Sequence, residues 1–199
     1  ISILSLFCIL KGSYFFNIFI FLTFCLSLFE WYNLCIKRNI FIVGTLFLLI
    51  SFISAYNIRY IDLSFFLFVI LICVSSDIGG FIFGKIFKGP KLSKISPNKT
   101  YAGSIGSFIL SIVFSLLYVF YFDSSLNQNL NINFKQFVLI VITLSAINQF
   151  GDLIISYFKR LKKIKNTGKI LPGHGGLLDM IDGIIFTLPS SYFFNEVIL

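Results

Sequence analysis

Asp77, Asp152, Asp179 and Asp182 each sit inside strongly apolar sequence. A lone carboxylate in hydrocarbon is costly, so such residues face a polar cavity and have a task there. Asp179 and Asp182 are three positions apart, which on a helix puts them on one face, a turn apart. Carboxylates that close repel each other unless a cation lies between them. A hard divalent ion such as Mg²⁺, held by few carboxylates and completed by phosphate oxygens, is the natural occupant. Gly183 follows and leaves room for a ligand. Asp152, Ser156 and Lys159 fall at i, i+4 and i+7, one stripe of a helix that runs into a basic loop. A carboxylate, a hydroxyl and an ammonium on that stripe suit a metal–phosphate site better than lipid. Asp77 shares a face with Gly80 and Gly84, a pair spaced to let another helix approach closely. Residues 172–176 read Pro-Gly-His-Gly-Gly. Gly173, Gly175 and Gly176 let backbone N–H groups close around an anion, and His174 is suited to bond a phosphate oxygen or carry a proton.

The elements that must position these residues are apolar. The chain has 199 residues, 57% of them hydrophobic and 12% charged. Soluble domains carry about 25% charged residues. Six apolar stretches, near 14–35, 40–57, 63–86, 101–122, 135–158 and 177–195, are long enough to span a bilayer or nearly so. In lipid every backbone polar group must be satisfied within the segment, so these stretches are read as helices. The expectation is an all-α polytopic membrane protein with about six transmembrane helices, forming a single domain over 1–199. The run Ile1 to Leu10 is too short to span and lacks a basic leader. It is expected to be the tail of a truncated helix, with further helices upstream.

The net charge of +8 is concentrated: of 16 Lys and Arg, five lie in 85–99 and six in 159–169. A nucleic-acid binder would carry its basic residues on a water-exposed fold, so nucleic acid is not expected as a partner. Here they occupy loops between apolar helices, which points to anionic headgroups, a nucleotide phosphate or topology. Basic and non-basic loops alternate, placing both strongly basic loops on the cytoplasmic side, with only Lys11 against the trend. Cys8, Cys25, Cys35 and Cys73 lie far apart without metal-like spacing and read as fillers of apolar segments.

The ordered set of motifs resembles one family. Ser156-Tyr-Phe-Lys-Arg-Leu-Lys-Lys-Ile-Lys-Asn-Thr-Gly-Lys-Ile-Leu-Pro-Gly-His-Gly-Gly-Leu-Leu-Asp-Met-Ile-Asp182 resembles the signature of phosphatidate cytidylyltransferases, also called CDP-diacylglycerol synthases. That signature joins Ser-x-x-Lys-Arg to a Pro-Gly-His-Gly-Gly turn and an Asp-x-x-Asp end. Gly151-Asp152-Leu153 looks like the family's Gly-Asp-Leu, and Ser96 through Gly103 is similar to its Ser-Pro-Lys-Lys-Thr-Trp-Glu-Gly. Asp77 through Lys85 resembles a further Asp- and Gly-Lys-bearing segment. The likeness covers about 72–190. Three positions depart from the family pattern: Asn166 stands where Asp is usual, Met180 where Arg is usual and Ala102 where Glu is usual.

The resemblance implies that CTP and phosphatidate give CDP-diacylglycerol and pyrophosphate, with Mg²⁺ as cofactor, at the cytoplasmic face of a bacterial inner membrane. It implies N-terminal helices over 1–71 and catalytic helices and loops over 72–195. Asp152, Asp179 and Asp182, with Asp77 a weaker candidate, would bind metal. Lys159, Arg160 and Lys165 would hold phosphates beside Ser156 and the glycines of the turn. Ser96, Lys99 and Thr100 would form a second wall, and His174 would touch a phosphate or move a proton. CTP, phosphatidate and membrane lipid are the expected partners, and a homodimer stays open. The rival readings are a CTP-using enzyme acting on an isoprenoid-based lipid, a transporter or scaffold, and a family member that binds lipid without turnover.

Overall fold

Runs of 21 to 28 residues with few charges become helices because the chain has no other way to satisfy its backbone in lipid. The structure, a computed structural model, describes residues 2–93, 95, 96, 99–122, 133–168 and 175–198. Among the described residues the helices are α1 (Ser2–Lys11), α2 (Ser13–Leu34), α3 (Arg38–Ile61), α4 (Leu63–Phe87), α5 (Tyr101–Tyr121), α6 (Phe134–Leu161), α7 (Leu178–Ile181) and α8 (Ile184–Ile198). The all-helical reading holds, and α2 to α6 are long and apolar enough to cross a membrane. The sixth expected span, 177–195, is built differently. A four-residue α7 and a turn at Asp182 and Gly183 precede an apolar helix that starts only at Ile184. The second span is longer than its hydropathy suggested, because α3 begins at Arg38 and continues past Asn57 through Arg59 and Tyr60 to Ile61. Arg59 is held there by hydrogen bonds from its Nε and Nη2 to the Ile9 carbonyl, at 3.2 and 3.0 Å.

Short polar residues place the breaks. Asp62 ends α3 in extended geometry and caps α4, accepting from the Ser64 and Phe65 N–H groups at 2.8 and 3.1 Å. Thr100 caps α5, its hydroxyl accepting from the Gly103 N–H at 3.1 Å.

The closest helix pair is α4 with α5, and small residues make it so. A β-carbon on Gly79 would stand 2.8 Å from the Gly106 carbonyl carbon, and one on Gly103 would stand 2.7 Å from the Gly80 carbonyl oxygen. Gly80 and Gly84 therefore serve as the close-packing pair that their spacing implied. Serines stitch the same region to α6. Ser107 donates to the Ser76 carbonyl at 2.7 Å, and the hydroxyls of Ser76 and Ser145 lie 3.0 Å apart. An apolar core around Val69, Ile72, Val141 and Leu144 lies between α4 and α6, and a second around Trp31, Leu48, Ile155 and Leu178 joins α2, α3 and α6.

Gly79→Val is expected to destabilise the protein by about 1–3 kcal/mol, because the added carbons have only backbone to push against. Thermal unfolding in detergent micelles, compared with an exposed control such as Ile78→Val, checks it.

Candidate active site

The basic loops meet at one end of the bundle. Lys162 donates to the Asn33 carbonyl, tying the segment after α6 to the end of α2. Arg160 donates through Nε to the Ile95 carbonyl at 3.3 Å, tying the same segment to the loop between α4 and α5. That loop is folded back on itself. Lys91 and Thr100 form an antiparallel bridge, and the Leu92 N–H donates to the Lys99 carbonyl at 2.8 Å. The fold-back carries Lys99 toward α6, where its ammonium lies 2.5 Å from Asp152 Oδ2.

Behind Lys99 lies a cavity of about 290 Å³, lined among others by Asp77, Ser96, Lys99, Thr100, Gln149 and Asp152. Asp77 on α4 accepts from Asn148 Nδ2 at 2.8 Å, and Asp152 on α6 accepts from Ser156 at 3.2 Å. Asp182 joins them from the turn after α7. It is 9% exposed and lies near the Asp152 carboxyl. Two glycines permit this meeting. A β-carbon on Gly151 would stand 2.9 Å from the Asp182 carbonyl oxygen, and Gly183 lies against the Asn148 carboxamide.

Asp77 and Asp152 line one cavity, and Asp182 lies close by in the turn after α7. Among the described residues no group of three or more acidic, histidine or cysteine side chains is placed to hold a metal ion, so a cation here would take most of its ligands from phosphate oxygens and water, which is how Mg²⁺ is ordinarily held.

Asp179 goes elsewhere, against the expectation that it shares an ion with Asp182. Its Oδ1 is 2.7 Å from Lys159 Nζ, and its Oδ2 accepts from the N–H groups of Thr167 and Gly176 at 2.8 and 3.0 Å. Both oxygens are already engaged by donors. Burial pushes the Asp179 carboxyl up, but Lys159 and the two N–H groups outweigh it and hold the carboxyl below its ordinary value of 3.8. The backbone at Asp182 is still helical, so the two side chains differ in the partners they meet rather than in the turn that carries them.

Gly175 has φ +95° and lies beside Asp179 Oδ2 and Asn166, and Gly176 supplies one of the N–H groups. Ser156 and Lys159 are buried on the site's side of α6. Arg160 and Lys165 are exposed, with Arg160 engaged by loop carbonyls. Gly173 and His174 lie outside the described residues.

Sequence reasoning passes over Glu30 and Asn148. Glu30, 1% exposed on α2, accepts from the Thr167 hydroxyl at 2.7 Å and from the Leu177 and Leu178 N–H groups at 2.8 Å each. It is the only acidic residue of Ser13–Leu34, so the rule that singles out the four aspartates applies to it equally. Asn148, 1% exposed, is a buried amide one turn before Asp152, a weaker signal of the same kind.

The sequence pattern of the Cytidylyltransferase family matches residues 1–198. Curated relatives include the phosphatidate cytidylyltransferases of Staphylococcus haemolyticus and Staphylococcus saprophyticus, each 40% identical over 141 residues, and that of Staphylococcus aureus strain COL, 38% identical over 141 residues. Each alignment covers 70% of this chain and 52% of the relative, so the chain spans about half the length of the curated relatives it matches.

A carboxyl whose folded value is depressed stabilises above its unfolded value and loses that contribution as pH falls through the folded one. Residues 162–168 and 175–178 should therefore resist protease from about pH 7 to about pH 4 and loosen only below that. Asp179→Asn should open the segment by about tenfold or more in cleavage rate across the whole range, since it leaves Lys159 unpaired. Cleavage by proteases suited to each pH, mapped by mass spectrometry, reads both effects.

Proposed function

The chain belongs to the cytidylyltransferase family, and from that premise we propose that it transfers the cytidylyl group of CTP to phosphatidate, giving CDP-diacylglycerol and pyrophosphate. The observation that carries this reading is the pairing of Lys99 with Asp152, beside a cavity that Asp77 also lines, and of Lys159 with Asp179, at the end of an apolar bundle where its basic loops gather.

An oxygen of the phosphatidate phosphate attacks the α-phosphorus of CTP, and pyrophosphate leaves. Both reactants are anions, so the barrier is mostly charge repulsion and positioning. Asp152 and Asp182, with Asp77 behind them, would hold Mg²⁺, which when bound neutralises and aligns phosphate oxygens. Asp179 fixes the Lys159 ammonium, so that lysine meets phosphate without first being ordered. Asp152 likewise holds Lys99 at the mouth of the cavity, where nucleotide phosphate would draw it over. Ser96, Thr100 and Gln149 offer neutral polar groups to the part of CTP that enters the cavity. Arg160 and Lys165, exposed at the rim, attract the anions electrostatically. His174 keeps its proposed role at a phosphate oxygen. The acyl chains stay in the leaflet and enter between helices. Basic loops gathered at one end favour a site on the cytoplasmic face of a bacterial plasma membrane.

Purified full-length protein given labelled CTP, Mg²⁺ and phosphatidate is expected to form CDP-lipid. Asp152→Ala and Asp182→Ala should each lower kcat/KM by about a hundredfold or more while the protein stays folded. Asp77→Asn should cost less. Product only from an isoprenoid phosphate would overturn the lipid assignment, and normal turnover in both alanine variants would overturn the metal assignment.

A further inference from the structure

We propose that Glu30 is a positioning residue for this reaction: from within α2 it pins Thr167 on one side and Leu177 and Leu178 on the other, and so sets the nucleotide-binding geometry of Lys159. The proposal rests on the reading of the site as a nucleotidyl-transfer centre.

Glu30 is buried, and among the described residues no cation pairs with it. Its charge is met by donors alone. Oε2 accepts from the Thr167 hydroxyl and the Leu178 N–H, and Oε1 accepts from the Leu177 N–H. Hydrogen bonds to an ionised acceptor are roughly twice as strong as neutral ones, so three of them fix the segment firmly.

Thr167 is gripped from two sides. Its hydroxyl goes to Glu30 and its N–H goes to Asp179. At the other end of the segment the division repeats, with the Gly176 N–H on Asp179 and the Leu177 and Leu178 N–H groups on Glu30. Glu30 also explains two glycines. A β-carbon on Gly168 would stand 2.7 Å from Glu30 Oε1, and one on Gly176 would collide with Oε2. The segment's small residues are shaped around this carboxylate.

The path then continues to the proposed site. Asp179 Oδ2 is held by the segment, while its Oδ1 aims Lys159 Nζ. Glu30, Thr167, Asp179 and Lys159 form an unbroken line of hydrogen bonds from α2 to α6. Without Glu30, Thr167 and Leu178 lose their anchor and Asp179 loses the fixed N–H groups that orient it. Lys159 then meets CTP less well ordered. The expected signature is weaker nucleotide binding more than slower chemistry.

Glu30→Gln tests this in full-length protein in lipid nanodiscs, because the amide must turn an –NH₂ toward at least one N–H donor. Hydrogen exchange of the 176–178 amides should quicken about tenfold or more while α4 and α5 stay protected. KM for CTP should rise about tenfold with kcat changed less than about threefold, and Glu30→Asp should recover part of both. Thr167→Val removes only the hydroxyl bond and should move both readouts the same way by less, which keeps the test decisive if Glu30→Gln folds poorly. Unchanged exchange would overturn the tether. Faster exchange with an unchanged KM for CTP would overturn the positioning role. A wild type that makes no CDP-lipid would overturn the functional reading and the positioning role with it, while exchange still decides the tether.

Discussion

Lys159 and Asp179 form an ion pair 2.7 Å long, with both side chains about 10% exposed. Much of the polar interior depends on it. Removing one partner of such a pair leaves an uncompensated charge that costs about 3–5 kcal/mol. The pair therefore acts as a fixed point to which less rigid parts attach. Through Asp179 it gathers the N–H groups of Thr167 and Gly176, and through Lys159 it anchors that gathering to α6. Thr167, Gly176, Leu177 and Leu178 are thereby held at set positions beside two carboxylates and one ammonium.

Around that pair, an apolar bundle has to manage polar groups without water. Lipid offers no solvation, so polar side chains bond either to their own helix backbone or to a neighbouring helix close enough to supply a partner. The glycines at the α4–α5 contact and at Gly151 allow the second. They trade side-chain volume for proximity, and proximity lets the Ser76, Ser107 and Ser145 hydroxyls and the Asn148 amide N–H find partners. Asp77 ends up facing the cavity because α4 lies so near α5, whose cap Thr100 forms part of the same wall. Helix packing and site geometry are one problem here, solved by the same small residues.

Regular features of the sequence were the legible ones. Residues sharing one helix face stay together: Asp152 and Ser156 are hydrogen-bonded as their i, i+4 spacing implies, and Gly80 and Gly84 pack as their spacing implies. Apolar length placed α2, α4, α5 and α6 within a few residues. Periodicity says where a side chain starts and not which partner it finds. Asp179 and Asp182 are a helical turn apart, yet their carboxylates serve different partners. Tertiary partners fail for another reason. Nothing local links Glu30 to Leu178, 148 positions away, and only its cost in an apolar helix could have drawn attention to it.

The departures from the family pattern acquire physical meaning in this frame. Met180 is 42% exposed, whereas Asp182, close by in sequence, is buried. The arginine usual there would sit at the rim rather than between the aspartates, where its loss removes attraction for anions more than it disturbs the centre. Asn166 packs over Gly175, close to Asp179 Oδ2. An aspartate at that position would set a second negative charge beside a carboxylate whose one cationic partner, among the described residues, is Lys159. Such a pair would need a further cation or a raised proton affinity to be stable. With the amide, Asp179 keeps Lys159 as its partner and meets no second negative charge from position 166.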